Sequence, residues 1–169
     1  YIGRLRLTST RSGETFDYSN RGDLWGEVVT LLPAGGSQQL AQAAALWSAV
    51  DEAATHQHAK LGAELILALP APRELEPELW RRLVKDFIAE TILPHRLAVS
   101  YAIHQPHRDL DPAVLAEDVL RTTKERSKDM FAEDLRAGLL HVHAHVMITP
   151  RQVGPSGLAP KRYVGLDPI

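Results

Sequence analysis

Three histidines at alternate positions, His141, His143 and His145, have the spacing in this chain best suited to chemistry. They lie in the segment His141-Val142-His143-Ala144-His145-Val146-Met147-Ile148. A strand sends alternate side chains to opposite faces, so Val142, Ala144, Val146 and Ile148 form an apolar face. The histidines form the other face, with neighbours roughly 6.6 Å apart along the strand. Imidazoles this close repel when protonated, and a buried ring leaves nitrogens to satisfy. A shared metal ion answers both demands; a solvated polar face is the plainer alternative for a lone histidine.

A third ligand is expected from Leu97 to His104, where Leu97, Val99, Tyr101 and Ile103 share one face. Ala98, Ser100, Ala102 and His104 share the other, and small residues beside a histidine suggest space for a substrate. Glu64 shares a strand face with Ile66 and Ala68, opposite Leu65, Leu67 and Leu69. A carboxylate on such a strand is costly unless paired. It is suited to orienting a ligand histidine or accepting a proton, and equally to an exposed strand start. Three imidazoles around an ion leave coordination positions open, as catalytic sites do.

The elements that must position these groups follow from periodicity. Leu24 to Leu32 reads as a strand stopped by Pro33 and the Gly35-Gly36 pair. Ser37 is positioned to cap a helix reaching about Ala59, with Leu40, Ala44, Trp47 and Val50 as its apolar stripe. Gly62 to Leu69 reads as a strand. Pro77 to Glu90 reads as a helix burying Leu79, Leu83, Phe87 and Ile88. Asp111-Pro112 opens a helical stretch reaching about Arg136, and His141 to Thr149 is another strand. The opening, Tyr1 to Asp23, reads as a polar loop or ribbon, and the tail from Pro150 as a Pro/Gly-rich loop. Strands and helices mix without strict alternation, which predicts an α+β fold, a mainly antiparallel sheet with helices packed on it. One domain over 1–169 is enough, and a start at Tyr1 with an abrupt end at Ile169 suggests a piece of a longer protein.

Composition narrows the function classes. No apolar run is long enough to span a bilayer, and membrane insertion is not expected. Cysteine is absent, which removes thiolate ligands, thiol nucleophiles and disulfides and fits a reducing cytoplasm. A net charge of -2 counts mildly against nucleic-acid binding, although a local basic groove can sit within a neutral total. Arg4, Arg6, Arg11 and Arg21 crowd the opening segment, and Arg151, Lys161 and Arg162 follow the histidine strand. If both segments border the histidine face they make a basic rim for phosphates; solvated loop charge is the plainer reading of any one.

On Tyr101-Ala102-Ile103-His104, His143-Ala144-His145-Val146-Met147-Ile148-Thr149 and Glu64-Leu65-Ile66-Leu67-Ala68-Leu69-Pro70, the chain resembles MobA/MobL-type plasmid mobilisation relaxases. These are a branch of the His-hydrophobe-His nucleases. Arg11 to Ser19 adds to the likeness. The resemblance implies a relaxase-like fold, a metal triad of His104, His143 and His145, and an orienting or base role for Glu64. It implies tyrosine attack on single-stranded DNA at a plasmid transfer origin, leaving a 5′-phosphotyrosyl link and a free 3′-hydroxyl. Tyr1, in Tyr1-Ile2-Gly3-Arg4, best matches the nucleophile, with Tyr18 in reserve; Arg4, Arg6, Arg151, Lys161 and Arg162 are the expected DNA contacts. Mn2+ or Mg2+ is the expected ion, with Zn2+, Co2+ and Ni2+ open. Accessory relaxosome and secretion-coupling proteins are implied partners, in the bacterial cytoplasm. The chain departs from the family in carrying His141-Val142 where Asn-Pro is usual, which makes His141 an extra candidate ligand. It also has an insertion between His104 and His143. The alternatives are a rolling-circle replication initiator or transposase of the same superfamily, and a zinc-dependent hydrolase or metal-binding module.

Overall fold

A computed structural model describes residues 6–9, 12–17, 24–56, 58–70, 74–105 and 142–166. Within them the expected α+β fold is present. A sheet runs in the order β3, β5, β6, β4, with β7 added to β6. Its strands are β3 (Leu24–Leu31), β4 (Ala63–Ala68), β5 (Leu97–His104), β6 (His143–Gly154) and β7 (Gly157–Arg162). Every pairing is antiparallel. The helices are α1 (Ala43–Ala53) and α2 (Pro77–Thr91).

Strands β5 and β6 form the centre because both present apolar side chains that a helix can cover. Leu97, Val99, Tyr101 and Ile103 join Val142, Ala144, Val146 and Ile148 in one cluster with Trp80, Val84 and Ile88 of α2. The opposite face meets α1: Leu46 packs with Ala98 and Val153, and Trp47 lies against Ala102 and Met147. The central strands are therefore packed between two helices, and β5, covered on both faces, is mostly apolar. All of β5 is buried, including His104 at its end.

Several expectations need correction. The first helix is shorter than Ser37 to Ala59: a 3-10 turn at Gln38–Leu40 precedes α1. Gln42 between them is extended, with φ -104° and ψ 139°, so a single helix cannot run through it. The break rotates the stripe, so Leu46 and Val50 are buried and Ala44 is exposed. On α2 the buried line is Trp80, Val84 and Ile88, with Phe87 partly covered, whereas Leu79 and Leu83 are 42% and 43% exposed. Trp80 decides this rotation, since its ring fills the core while its Nε1–H donates to the Pro70 carbonyl at 2.9 Å.

The tail after Pro150 is also ordered differently from a loop. Strand β6 continues to Gly154, and Gly157 at φ +106° closes a tight hairpin into β7. The opening polar segment does include a ribbon, β1 (Arg6–Thr8) paired with β2 (Thr15–Asp17). The stretch expected as a helix from Asp111 to Arg136 lies outside the described residues.

Candidate functional site

Sheet register assembles the site. His104 ends β5 directly opposite His143, which begins the β6 ladder. Directly opposed residues project to the same face, and His145 follows two residues along on that face. Ala68 and Ile66 of β4 stand opposite His143 and His145. Each pairing follows from apolar alternation on the α2 side, because a one-residue slip would exchange the buried and histidine-bearing faces.

The imidazole ring centres of His145 lie 4.9 Å from both His104 and His143, and the His104–His143 separation is 5.6 Å. The Nε2 atoms of His143 and His145 are 3.1 Å apart. Two nitrogens each bound about 2.0–2.1 Å from one ion would stand roughly 3.0–3.4 Å apart at tetrahedral or octahedral angles. The His143–His145 contact, which is also a hydrogen-bond distance, has the length of one edge of such a polyhedron. Rings around one ion would have centres about 4.5–5.2 Å apart on the same geometry. Both His145 separations fall in that range, and the His104–His143 distance slightly exceeds it. Among the described residues no three His, Asp or Glu groups form a ready-made metal cage. The donor set nonetheless fits a divalent ion: imidazole nitrogens converge beside a carboxylate, and His104 Nε2 is buried.

Glu64 completes the cluster. Its Oε1 accepts from His145 Nδ1 at 2.7 Å, with the carboxylate still substantially exposed. A donating Nδ1–H leaves the Nε2 lone pair directed at His143, the tautomer a metal ligand requires. Glu64 thus sits at the partnered end of the alternatives that its sequence position left open.

The small residues Ala98, Ser100 and Ala102 do not leave a cleft. Trp47 fills the space above them, and its Nε1–H donates to Ser100 Oγ at 3.1 Å. A small row on a strand is as well suited to receiving a large ring from a helix as to lining a pocket. The open surface lies on the other side of the histidines, over β4, where Ile66 is 57% exposed.

The remaining candidates fall into separate places. Arg6 faces Asp17 on the β1–β2 ribbon at 3.9 Å, both exposed. Arg151 is largely engaged in structure: its guanidinium donates to the carbonyls of Ala53, Ala159 and Pro160. Lys161 and Arg162 are exposed at the end of β7. Tyr1, Tyr18, Arg4, Arg11, Arg21 and His141 lie outside the described residues. Two basic residues that sequence patterning passed over, His58 and Lys60, line a cleft with Arg151 and Arg162. The run His56-Gln57-His58-Ala59-Lys60 just before a strand was the available signal.

An antiparallel α+β protein with a histidine-bearing sheet face and a helix on each side is the class that this fold and cluster define. Within that class the chain belongs to the MobA/MobL family, whose model matches residues 1–166. It is 27% identical over 155 residues to "Probable mobilization protein MobA" of Bifidobacterium longum (strain NCC 2705), covering 92% of this chain and 22% of that protein. It is 28% identical over 174 residues to "Mobilization protein MobL" of Acidithiobacillus ferridurans, covering 100% of this chain and 42% of the relative. The chain thus spans less than half the length of these relatives. A solved structure described as "Molecular Basis of Vancomycin Resistance Transfer in Staphylococcus aureus" shares the fold, with a TM-score of 0.66 at 20% identity. That match covers 98% of this chain and 66% of the other. No helix among the described residues is long and apolar enough to cross a membrane.

Proposed function

We propose that this chain is the DNA-nicking part of a plasmid mobilisation protein, a relaxase that cuts one strand at a transfer origin. The observation that carries this reading is the His143–His145 contact at 3.1 Å, with His104 adjacent and Glu64 holding His145 at 2.7 Å. His104, His143 and His145 would hold the ion, with Mn2+ or Mg2+ foremost. When bound, the ion supplies positive charge to the non-bridging oxygens of the scissile phosphate.

The protein's own groups do the rest. Glu64 keeps the His145 proton on Nδ1 and fixes the ring. The sheet, packed on both faces, holds the three imidazoles with little freedom to spread. A tyrosine hydroxyl attacks phosphorus, its oxygen forming the new P–O bond as the bond to the 3′-oxygen breaks. The tyrosine proton is lost to a base, and the departing 3′-oxygen leaves as a hydroxyl once protonated. Tyr1 is the expected nucleophile and Tyr18 the reserve. The DNA stays linked through its 5′-phosphate, so the bond can later be re-formed without an external energy source.

A labelled single strand carrying the plasmid's own transfer origin tests this. Incubation with Mn2+ should give a protein–DNA adduct that survives denaturation, lost with chelator or with Tyr1→Phe and kept with Tyr18→Phe. Cleavage without an adduct would point instead to a metal hydrolase, and no cleavage at all would remove the nicking reading.

A further inference from the structure

Pairing arranges the histidine face in rows across β5, β6 and β4. His104, His143 and Ala68 make the first row, Ala102, His145 and Ile66 the second, and Ser100, Met147 and Glu64 the third. Directly paired residues project to one face, so all three rows share the surface on which the imidazoles converge. What stands around them decides how a bound strand can leave.

Two sides are closed. Over the third row lies the indole of Trp47, whose Nε1–H donates to Ser100 Oγ on β5 at 3.1 Å. Its other edge lies against Gly62, ahead of β4, where an added Cβ would meet a ring carbon at 3.3 Å. The ring thus bars the sheet from β5 to the start of β4, in one apolar cluster with Ala102 and Met147. On the β3 side, buried Leu24 stands directly opposite His104, with Val28 in the same cluster. On the β4 side no comparable cover stands among the described residues. Ala68 and Ile66 are exposed there, Ile66 to 57%, and β4 has no further strand beside it in the described sheet. The Glu64 carboxylate on this flank is turned to His145 at 2.7 Å.

A lone exposed isoleucine is ordinary on a protein surface. This one is in register with His145, one strand spacing of about 4.8 Å away, and it lies on the open flank. A phosphate facing the three imidazoles has its attached nucleoside within reach of that side chain. Isoleucine is stiff at χ1 and offers no hydrogen bond, so it suits the face of a base without choosing among bases. We infer that the strand leaves the histidines across β4, with the base next to the cut phosphate seated on Ile66. This rests on the DNA-nicking reading and adds to it a contact that needs a base but not a particular one.

Fluorescence anisotropy in Mn2+ buffer tests it with two strands of roughly 12 nucleotides, oligo-dT and a sugar–phosphate strand of equal length without bases. Ile66→Thr keeps a β-branched side chain on the strand and should weaken oligo-dT binding about fivefold. Ile66→Phe, which adds a ring for stacking, should tighten it by a similar factor. Both variants should bind the baseless strand as wild type does, and Leu83→Ser, at a comparably bare position on α2, should change neither. Calorimetric Mn2+ titration should give both Ile66 variants the wild-type affinity. Wild-type binding of oligo-dT by Ile66→Thr overturns the proposal, as does weaker binding by Ile66→Phe or a comparable loss from Leu83→Ser. An equal loss on both strands also overturns it, since sugar or phosphate would then lie at Ile66; so does a matching loss of Mn2+ affinity, since the change would then act through His145. Base-dependent loss in a protein that forms no covalent adduct with the origin strand keeps the Ile66 seat and removes the nicking reading. An adduct with unchanged oligo-dT binding does the reverse.

Discussion

At the scale of single residues, Glu64 shows how a carboxylate can act on a site through a neighbouring ring. Its carboxylate decides which nitrogen of His145 carries the proton and holds the ring in one orientation. Partners of this kind typically contribute 10- to 100-fold to metal affinity, so Glu64→Gln should weaken Mn2+ binding by about that range in calorimetric titration. His145→Ala should weaken it further. Equal affinities for Glu64→Gln and wild type would mean the contact is incidental. Tyr101 offers a contrast on the α2 face. It is fully buried, and its hydroxyl meets no hydrogen-bond partner among the described residues. Burial pushes its phenol above the usual range, with the Arg81 charge pulling the other way by less. A raised phenol pKa favours the neutral form in the folded state. Its contribution is therefore complete below the unfolded value, about 10, and is lost as pH climbs through the folded value. Tyr101→Phe should leave neutral-pH stability unchanged or improved by up to about 1 kcal/mol, and should lose less stability than wild type in alkaline denaturation. The histidine face and the tyrosine face were both legible from alternation alone, because a strand's period of two allows no other division. The pairing of Glu64 with His145 was not, since it depends on β4 lying beside β6, a contact between segments some eighty residues apart.

At the scale of elements, the helices show where one-dimensional patterns lose information. Helix α2 carries Leu79, Trp80, Leu83, Val84, Phe87 and Ile88, enough apolar residues for two overlapping stripes. Periodicity cannot choose between them; the sheet chooses, by accepting the indole of Trp80 beside Pro70. Trp80→Ala should cost about 3–5 kcal/mol in urea denaturation, whereas Leu83→Ser at the exposed stripe should stay within roughly 0.5 kcal/mol. A large loss at Leu83 would mean that this side of α2 is covered in solution. Strand β5 was read correctly from Leu97 to His104 because its ends are set by what it pairs with and by the turn before it. The β6–β7 hairpin was missed because Pro150, Pro155 and the flanking glycines carry the composition of a loop. A proline at a change of strand partner and a glycine at φ +106° are also what such a hairpin needs.

At the scale of the whole molecule, the sheet assigns its two faces different tasks. The α2 side is a continuous apolar core, while the other side combines packing under α1 with the histidine cluster at one end. An ion held on the second face would then be linked to global stability, since the unfolded chain cannot hold three imidazoles from two strands around one point. At Mn2+ one hundred times its dissociation constant, linkage supplies about 2.7 kcal/mol. For a chain of this size that corresponds to roughly 5–10 °C in Tm. Thermal melts with Mn2+ should rise by this amount, return to the starting value with chelator, and show little shift in His143→Ala/His145→Ala. A comparable rise in that double variant would place the ion elsewhere. No rise in wild type at saturating metal would mean that the imidazoles converge without holding an ion, and the tyrosine chemistry would then lack its source of charge. Because the melt reports on the fold rather than on DNA, it judges the metal centre independently of whether the right strand of DNA has been supplied.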